Sequence, residues 1–138
     1  KVKKEFIPIL GICLGMQMMM QRSDEGKQKG LGWIKGEVKK FRLNEMKVPH
    51  MGWNQLEIQN SDDWAWNGLG TSPYFYFVHS FFPQPLDKSI VASTTLYGKQ
   101  FVPSVRRGQL LATQFHPEKS QAAGSRLIRN FLNESGIS

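Results

Sequence analysis

The chain has 138 residues, 40% of them hydrophobic and 12% aromatic, with a net charge of +7 and a pI near 9.7. That length suits about one domain burying roughly two-thirds of its unfolded surface, and the apolar content excludes a disordered chain. A single cysteine forbids an internal disulfide and fits a reducing cytoplasm, while basic groups scattered as "KVKK", "KQK", "KK" and "RR" read as a solvated surface rather than a nucleic-acid site.

The opening "KVKKEFIPILGICLG" imitates a secretory signal, but no small-x-small cleavage site follows. The apolar run is also far short of the ~20 residues that span a bilayer, so no membrane role is expected. "FIPILGI" (6–12) reads as a buried strand ending at glycine. "LGMQMMMQR" (14–22) consists of unbranched helix formers and predicts a helix. "SDEGKQKGLG" (23–32) is a loop by its glycine and charge.

Strand-like runs follow: "GEVKKFRL", "VPHMGWNQLEI", "YFYFVHSFF", "SIVASTTLY", "QFVPSV" and "LLATQFH". "SQAAGSRLIRNFLNESG" closes the chain as a helix with Ser120 as N-cap, Leu127, Ile128, Phe131 and Leu132 on one face, and Gly136 beyond. With no repeat or linker, residues 1–138 read as one α/β unit. Only one strand-turn-helix unit stands at the amino-terminal end, although a nucleophile-bearing parallel strand is normally flanked on both sides. Further units upstream are therefore expected.

Cys13 lies in "GICLG", a G-x-C-x-G pattern. A sharp strand-to-helix turn crowds its backbone, and glycines at 11 and 15 relieve that crowding, as around a nucleophile elbow. The turn exposes the sulfur at a helix N-terminus, which favours thiolate. A lone cysteine in an apolar run is more often a small, inert core residue. What separates the two readings is a partner base about a hundred residues on. In "ATQFHPEKS", His116 and Glu118 are two apart at a strand end, and in extended conformation they point to one side. A thiolate nucleophile requires such an imidazole, and the imidazole an orienting acceptor. His50 and His79 have no acidic neighbour in that register and read as structural.

"GICLGMQ" together with "QFHPEKS" resembles the signature pair of the class I (triad) glutamine amidotransferases. "GLGWIKGEV", "KVPHMGWNQL" and "YFYFVHSFF" are further similar to the glutaminase subunits of imidazole glycerol phosphate synthase. The resemblance runs over essentially the whole chain. It implies an α/β fold of the class I amidotransferase (flavodoxin- or Rossmann-like) type, a three-layer sheet with additional antiparallel strands, lacking its amino-terminal part. It implies Cys13 as nucleophile, His116 as general acid and base, Glu118 as the residue orienting the imidazole, and the Leu14 N–H as an oxyanion donor. Gln17 and the segment at Ser80 and Phe81 would hold the substrate glutamine. Met51, Trp53, Tyr76 and Lys119 would lie at or near the passage of ammonia to a (β/α)8-barrel cyclase, although Trp53 and Tyr76 also read as core or rim aromatics and Lys119 as a solvated charge. Neither metal nor other cofactor is implied.

In that family the second oxyanion donor comes from a glycine-containing loop in the earlier βα units, which would precede Lys1. A sheet edge left bare there would favour a homo-oligomer, or membership in a larger polypeptide. Two other functions fit the same residues: a paralogue supplying ammonia to aminate a surface-polysaccharide sugar, and a fragment that folds and binds without turnover.

Overall fold

A computed structural model describes residues 7–24, 29–42 and 46–136. The elements run β1 (Ile9–Ile12), α1 (Leu14–Met18), β2 (Met20–Ser23), β3 (Ile34–Lys40), β4 (His50–Gln55), β5 (Glu57–Ile58), β6 (Tyr74–His79), β7 (Phe81–Pro85), β8 (Val91–Leu96), β9 (Gln100–Arg107), β10 (Leu110–Thr113) and α2 (Gln121–Glu134). They form a five-stranded sheet in the order β1-β10-β9-β8-β5, a three-stranded sheet β2-β3-β7 and a two-stranded ribbon β4-β6. Pairing is parallel in β1–β10 and β2–β3 and antiparallel elsewhere among the named strands. The fold is mixed α/β, with the added antiparallel strands expected of it. Part of the "SDEGKQKGLG" loop and the end of "GEVKKFRL" lie outside the described residues.

Three elements differ from the sequence reading. The helix expected over 14–22 stops at Met18, and Met20–Ser23 turns into a strand beside β3. Helix propensity is a weak prior, and burial of Met20 and the ladder to Ile34–Val38 override it. The run 48–58 breaks at buried Leu56 into β4 and β5, which join different sheets. The run 74–82 breaks at Ser80, so that β6 belongs to the ribbon and β7 to the three-stranded sheet. Ser120 is the N-cap of α2, as expected, but its side chain makes no capping bond. Its Oγ instead donates to the His116 carbonyl at 2.6 Å and accepts from the Tyr76 amide at 2.9 Å.

Two apolar cores result. One is aromatic, built on Phe41, Trp66, Phe75, Phe77, Phe82, Phe101 and Phe115, and receives Leu127 and Phe131 of α2. Leu132 packs half-buried against it, and Ile128 is half-buried on the same helix. The other is aliphatic and rich in methionine: Met16, Met19, Met20, Ile34, Val38, Val105 and Leu110. Among the described residues, β1 forms one edge of the five-stranded sheet with β10 as its partner. No helix among them is long and apolar enough to cross a membrane.

Candidate active site

Parallel pairing of β1 with β10 runs from Ile9↔Leu110 to Ile12↔Thr113 and brings the carboxyl ends of the two strands together. Cys13 follows one directly, and His116 follows the other three residues on. The Cys13 backbone is held in a left-handed conformation, φ 55° and ψ −108°. A non-glycine residue there costs ~1–3 kcal/mol and persists only where its surroundings fix it. They do so from both sides: the Cys13 amide donates to the Thr113 carbonyl at 2.7 Å, and its carbonyl accepts from the Met16 and Gln17 amides.

The two flanking glycines act differently. A Cβ on Gly11 would sit 2.5 Å from Met19 Cε, the movable tip of that side chain, and 3.3 Å from the Gly15 carbonyl carbon, so strand and helix pack tightly there. A Cβ on Gly15 would meet nothing within 4 Å outside its own helix. Only Gly11 answers to crowding.

Around the sulfur, Gln114 Nε2 donates to Sγ at 3.5 Å, and the Val78 carbonyl lies at 4.0 Å. Gln114 Oε1 accepts from Gln17 Nε2 at 2.9 Å, and the same Gln17 nitrogen donates to the Phe81 carbonyl at 3.2 Å. Gln17 is buried, and its amide thus ties α1 to the start of β7. Motif reading alone does not single out Gln114. A polar side chain in a wholly buried stretch, two residues from His116, is the signal that marks it.

His116 Nδ1 bonds Glu118 Oε2 at 2.7 Å, with the side chains 16% and 44% exposed. The extended register expected for the pair is not what joins them, because Pro117–Lys119 is a 3-10 turn that folds Glu118 back onto the ring. With Nδ1 taken by the carboxylate, a neutral ring keeps Nε2 as its free acceptor. The backbone is pinned as well: the His116 amide donates to the Tyr76 carbonyl at 2.9 Å, and Ser120 holds its carbonyl. Gly124 lets α2 press on this turn, since a Cβ there would come within 1.8 Å of the Pro117 carbonyl oxygen.

The remaining expected residues divide into two groups. Ser80 forms the corner between β6 and β7, and the Phe81 carbonyl faces Gln17. Met51, Trp53 and Lys119 are exposed, the first two at 61% and 48%, and Trp53 packs edge-on against Tyr76 with ring centroids 6.0 Å apart. Strand alternation in β4 turns Met51 and Trp53 outward and His50 and Asn54 inward. His50 and His79, opposite each other in the ribbon, are buried and bonded Nδ1 to Nε2 at 2.9 Å. Burial, and then the neighbouring His79, lowers the His50 pKa to about 3. Burial dominates at His79 too; the Phe81 carbonyl opposes it and the charge of His116 adds to it, leaving the pKa at about 4. A pocket of about 180 Å³ opens beside α1, lined by Leu14, Gln17, Met18, Arg22 and Lys29 among others. Among the described residues no cluster of three His, Cys, Asp or Glu could hold a metal.

Residues 1–135 match the family "Glutamine amidotransferase class-I". The chain is 46% identical over 134 residues to the imidazole glycerol phosphate synthase subunit HisH of Thermosynechococcus vestitus, covering 96% of this chain and 64% of that one. It is 51% identical to the HisH subunit of Rhodopirellula baltica, covering 93% and 64%. It thus spans a little under two-thirds of the length of these relatives. In fold it is similar to PurLQS from Thermotoga maritima, with TM-score 0.72, 18% identity and coverage of 96% and 64%. It is also similar to the Trypanosoma brucei CTPS glutaminase domain, with TM-score 0.68, 17% identity and coverage of 96% and 62%. With that family model matching nearly the whole chain and relatives of about this identity beside it, one conclusion follows: the chain belongs to the class I glutamine amidotransferases.

Proposed function

We propose that the chain is part of a glutaminase subunit that hydrolyses glutamine to glutamate and passes the ammonia to a partner cyclase, as in imidazole glycerol phosphate synthase of histidine biosynthesis. The observation that carries this reading is the left-handed Cys13 at the end of one parallel strand, with the His116–Glu118 pair beyond the end of its neighbour. The Cys13 thiol gives its proton to His116 Nε2 and attacks the side-chain amide carbon of glutamine. The Leu14 N–H stabilises the oxygen that becomes negative. His116 returns the proton to the departing nitrogen, ammonia leaves and a thioester remains. Water, deprotonated by the same ring, then cleaves the thioester to glutamate and free thiol. Glu118 holds the imidazole with its proton on Nδ1 and stabilises the imidazolium formed in each half.

Gln17 and the Ser80–Phe81 corner border the glutamine site, beside the α1 pocket. The outward Met51 and Trp53, with Tyr76 and Lys119, form the face toward a (β/α)8-barrel cyclase, whose ring-closing lyase chemistry consumes the ammonia. The exposed apolar surface of β4 supports that assignment. The open edge of β1 is a place where a further strand or a second copy would pair. Residues 1–138 act as one unit, in the cytoplasm where histidine is made.

The test is covalent labelling by an electrophilic glutamine analogue, read by mass spectrometry. The expected adduct is on Cys13, is suppressed by excess glutamine, and is lost in Cys13→Ala. In His116→Ala, labelling should slow by ~100-fold or more. An adduct insensitive to glutamine and to His116 would sink the proposal.

A further inference from the structure

We infer that His50 and His79 are positioning residues: a one-way relay of hydrogen bonds through their rings sets the Phe81 carbonyl, and with it Gln17, at the site. The inference rests on the glutaminase reading of Cys13 for its catalytic consequence, though not for its geometry.

The direction of the relay follows from its two ends. The Phe81 carbonyl can only accept, so His79 Nδ1, 2.8 Å away, is the donor. Neutral His79 then has Nε2 free to accept, and His50 Nδ1, at 2.9 Å, must donate to it. That leaves His50 Nε2 as an acceptor, filled by Asn54 Nδ2 at 3.1 Å, which also donates to the Leu96 carbonyl at 3.0 Å. Each bond fixes the next, and both rings carry their proton on Nδ1. The lowered pKa values agree, since either imidazolium would place two donors face to face.

Beyond Phe81 the sequence of contacts continues. The carbonyl that receives His79 also receives Gln17 Nε2, Gln17 donates to Gln114, and Gln114 donates to the Cys13 sulfur. Phe41, Tyr97 and Phe101 enclose the two rings, with Phe77 stacked on His50. A pair of apolar side chains would fill this space without hydrogen-bond partners. What the imidazoles add is orientation, at a backbone group three hydrogen bonds removed from the sulfur. Neither ring lines the α1 pocket, so the role is one of placement.

The first measurement is a long-range 1H–15N correlation spectrum of the histidine-labelled chain at neutral pH. Nδ1–H on both His50 and His79 is expected, and an Nε2–H form or an imidazolium on either would overturn the relay. The second compares His79→Phe, which keeps a ring but deletes the donor, with His79→Asn, which restores a donor at the Nδ1 position. The side-chain amide signal of Gln17 should move in His79→Phe and return toward its original place in His79→Asn. Labelling of Cys13 by the glutamine analogue should slow about tenfold in His79→Phe and recover to within about threefold in His79→Asn, the scale of one hydrogen bond. Equal losses in the two variants, or none in either, would reduce His79 to a packing residue and overturn the proposal. If the unsubstituted chain takes up no analogue, the glutaminase reading falls, while the tautomers and the Gln17 signal still decide the relay.

Discussion

Cys13 and His116 rest on two cores of different composition. Beneath Cys13, the short helix α1 and strand β1 pack on Met16, Met19, Met20 and aliphatic side chains. Beneath His116, strand β6 and the end of β10 pack on Phe75, Phe77 and Phe115, with the first and last rings 4.3 Å apart. Methionine is unbranched and adapts to its neighbours; phenylalanine rings interlock and resist displacement. The imidazole is therefore carried by a stiff support, whereas the cysteine, the strained member, is carried by a compliant one and held by backbone hydrogen bonds. This arrangement keeps the imidazole fixed while leaving the sulfur room to adjust.

The contrast can be broken most directly by mutating the cores themselves. Phe77→Ala should cost ~3–5 kcal/mol in urea unfolding, because neighbouring rings cannot close the cavity. Met16→Leu, on the other side, should stay under ~1.5 kcal/mol. Comparable losses would show that the methionine core is as rigid as the aromatic one.

Acid tests the aromatic side alone. Both buried imidazoles have folded-state pKa values, about 3 and about 4, below the ordinary 6.5. Between those limits the unfolded chain binds more protons, so stability is complete above pH 6.5 and falls as the pH drops toward 4. By pH 5 the loss should be about 2 kcal/mol for each ring, and it should diminish for His79 in His79→Phe. A flat stability profile from pH ~7 to ~5 would mean that the rings take up protons without leaving their places.

Two glycines sharpen the comparison at its smallest scale. Gly124→Ala drives a Cβ into the Pro117 backbone, under the His116–Glu118 turn, and should cost ~2–3 kcal/mol. Gly11→Ala meets chiefly the tip of Met19, a flexible side chain, and should cost ~1 kcal/mol. The reverse order in thermal or urea unfolding would contradict the assignment of stiff and compliant sides.

Much of the site is legible in the sequence because its chemistry is written in short, local patterns. The glycine-flanked cysteine and "HPE" mark a candidate nucleophile and a candidate base, since each role needs particular residues at fixed offsets. The strand runs are legible from their apolar content, but their corners are not. Nothing in the period of "YFYFVHSFF" reveals that Ser80 passes from one sheet to another, because that depends on which strands wait on either side. The shortness of α1 is hidden for the same reason, as tertiary pairing of Met20–Ser23 outweighs a helical composition. Gln114 and the His50–His79 bond join residues far apart in the chain, and a single sequence carries no sign of such meetings.

The corner at Ser80 has one more consequence. Residues 74–85 are stitched on one side to the ribbon and on the other to the three-stranded sheet, through continuous ladders from Gln55↔Tyr74 to Gly36↔Pro85. Neither sheet can fray without tugging the Ser80–Phe81 corner, whose carbonyl at Phe81 receives Gln17. Local opening of this segment is thus shared between two ladders, and its amides should exchange together rather than as a loop that breathes by itself.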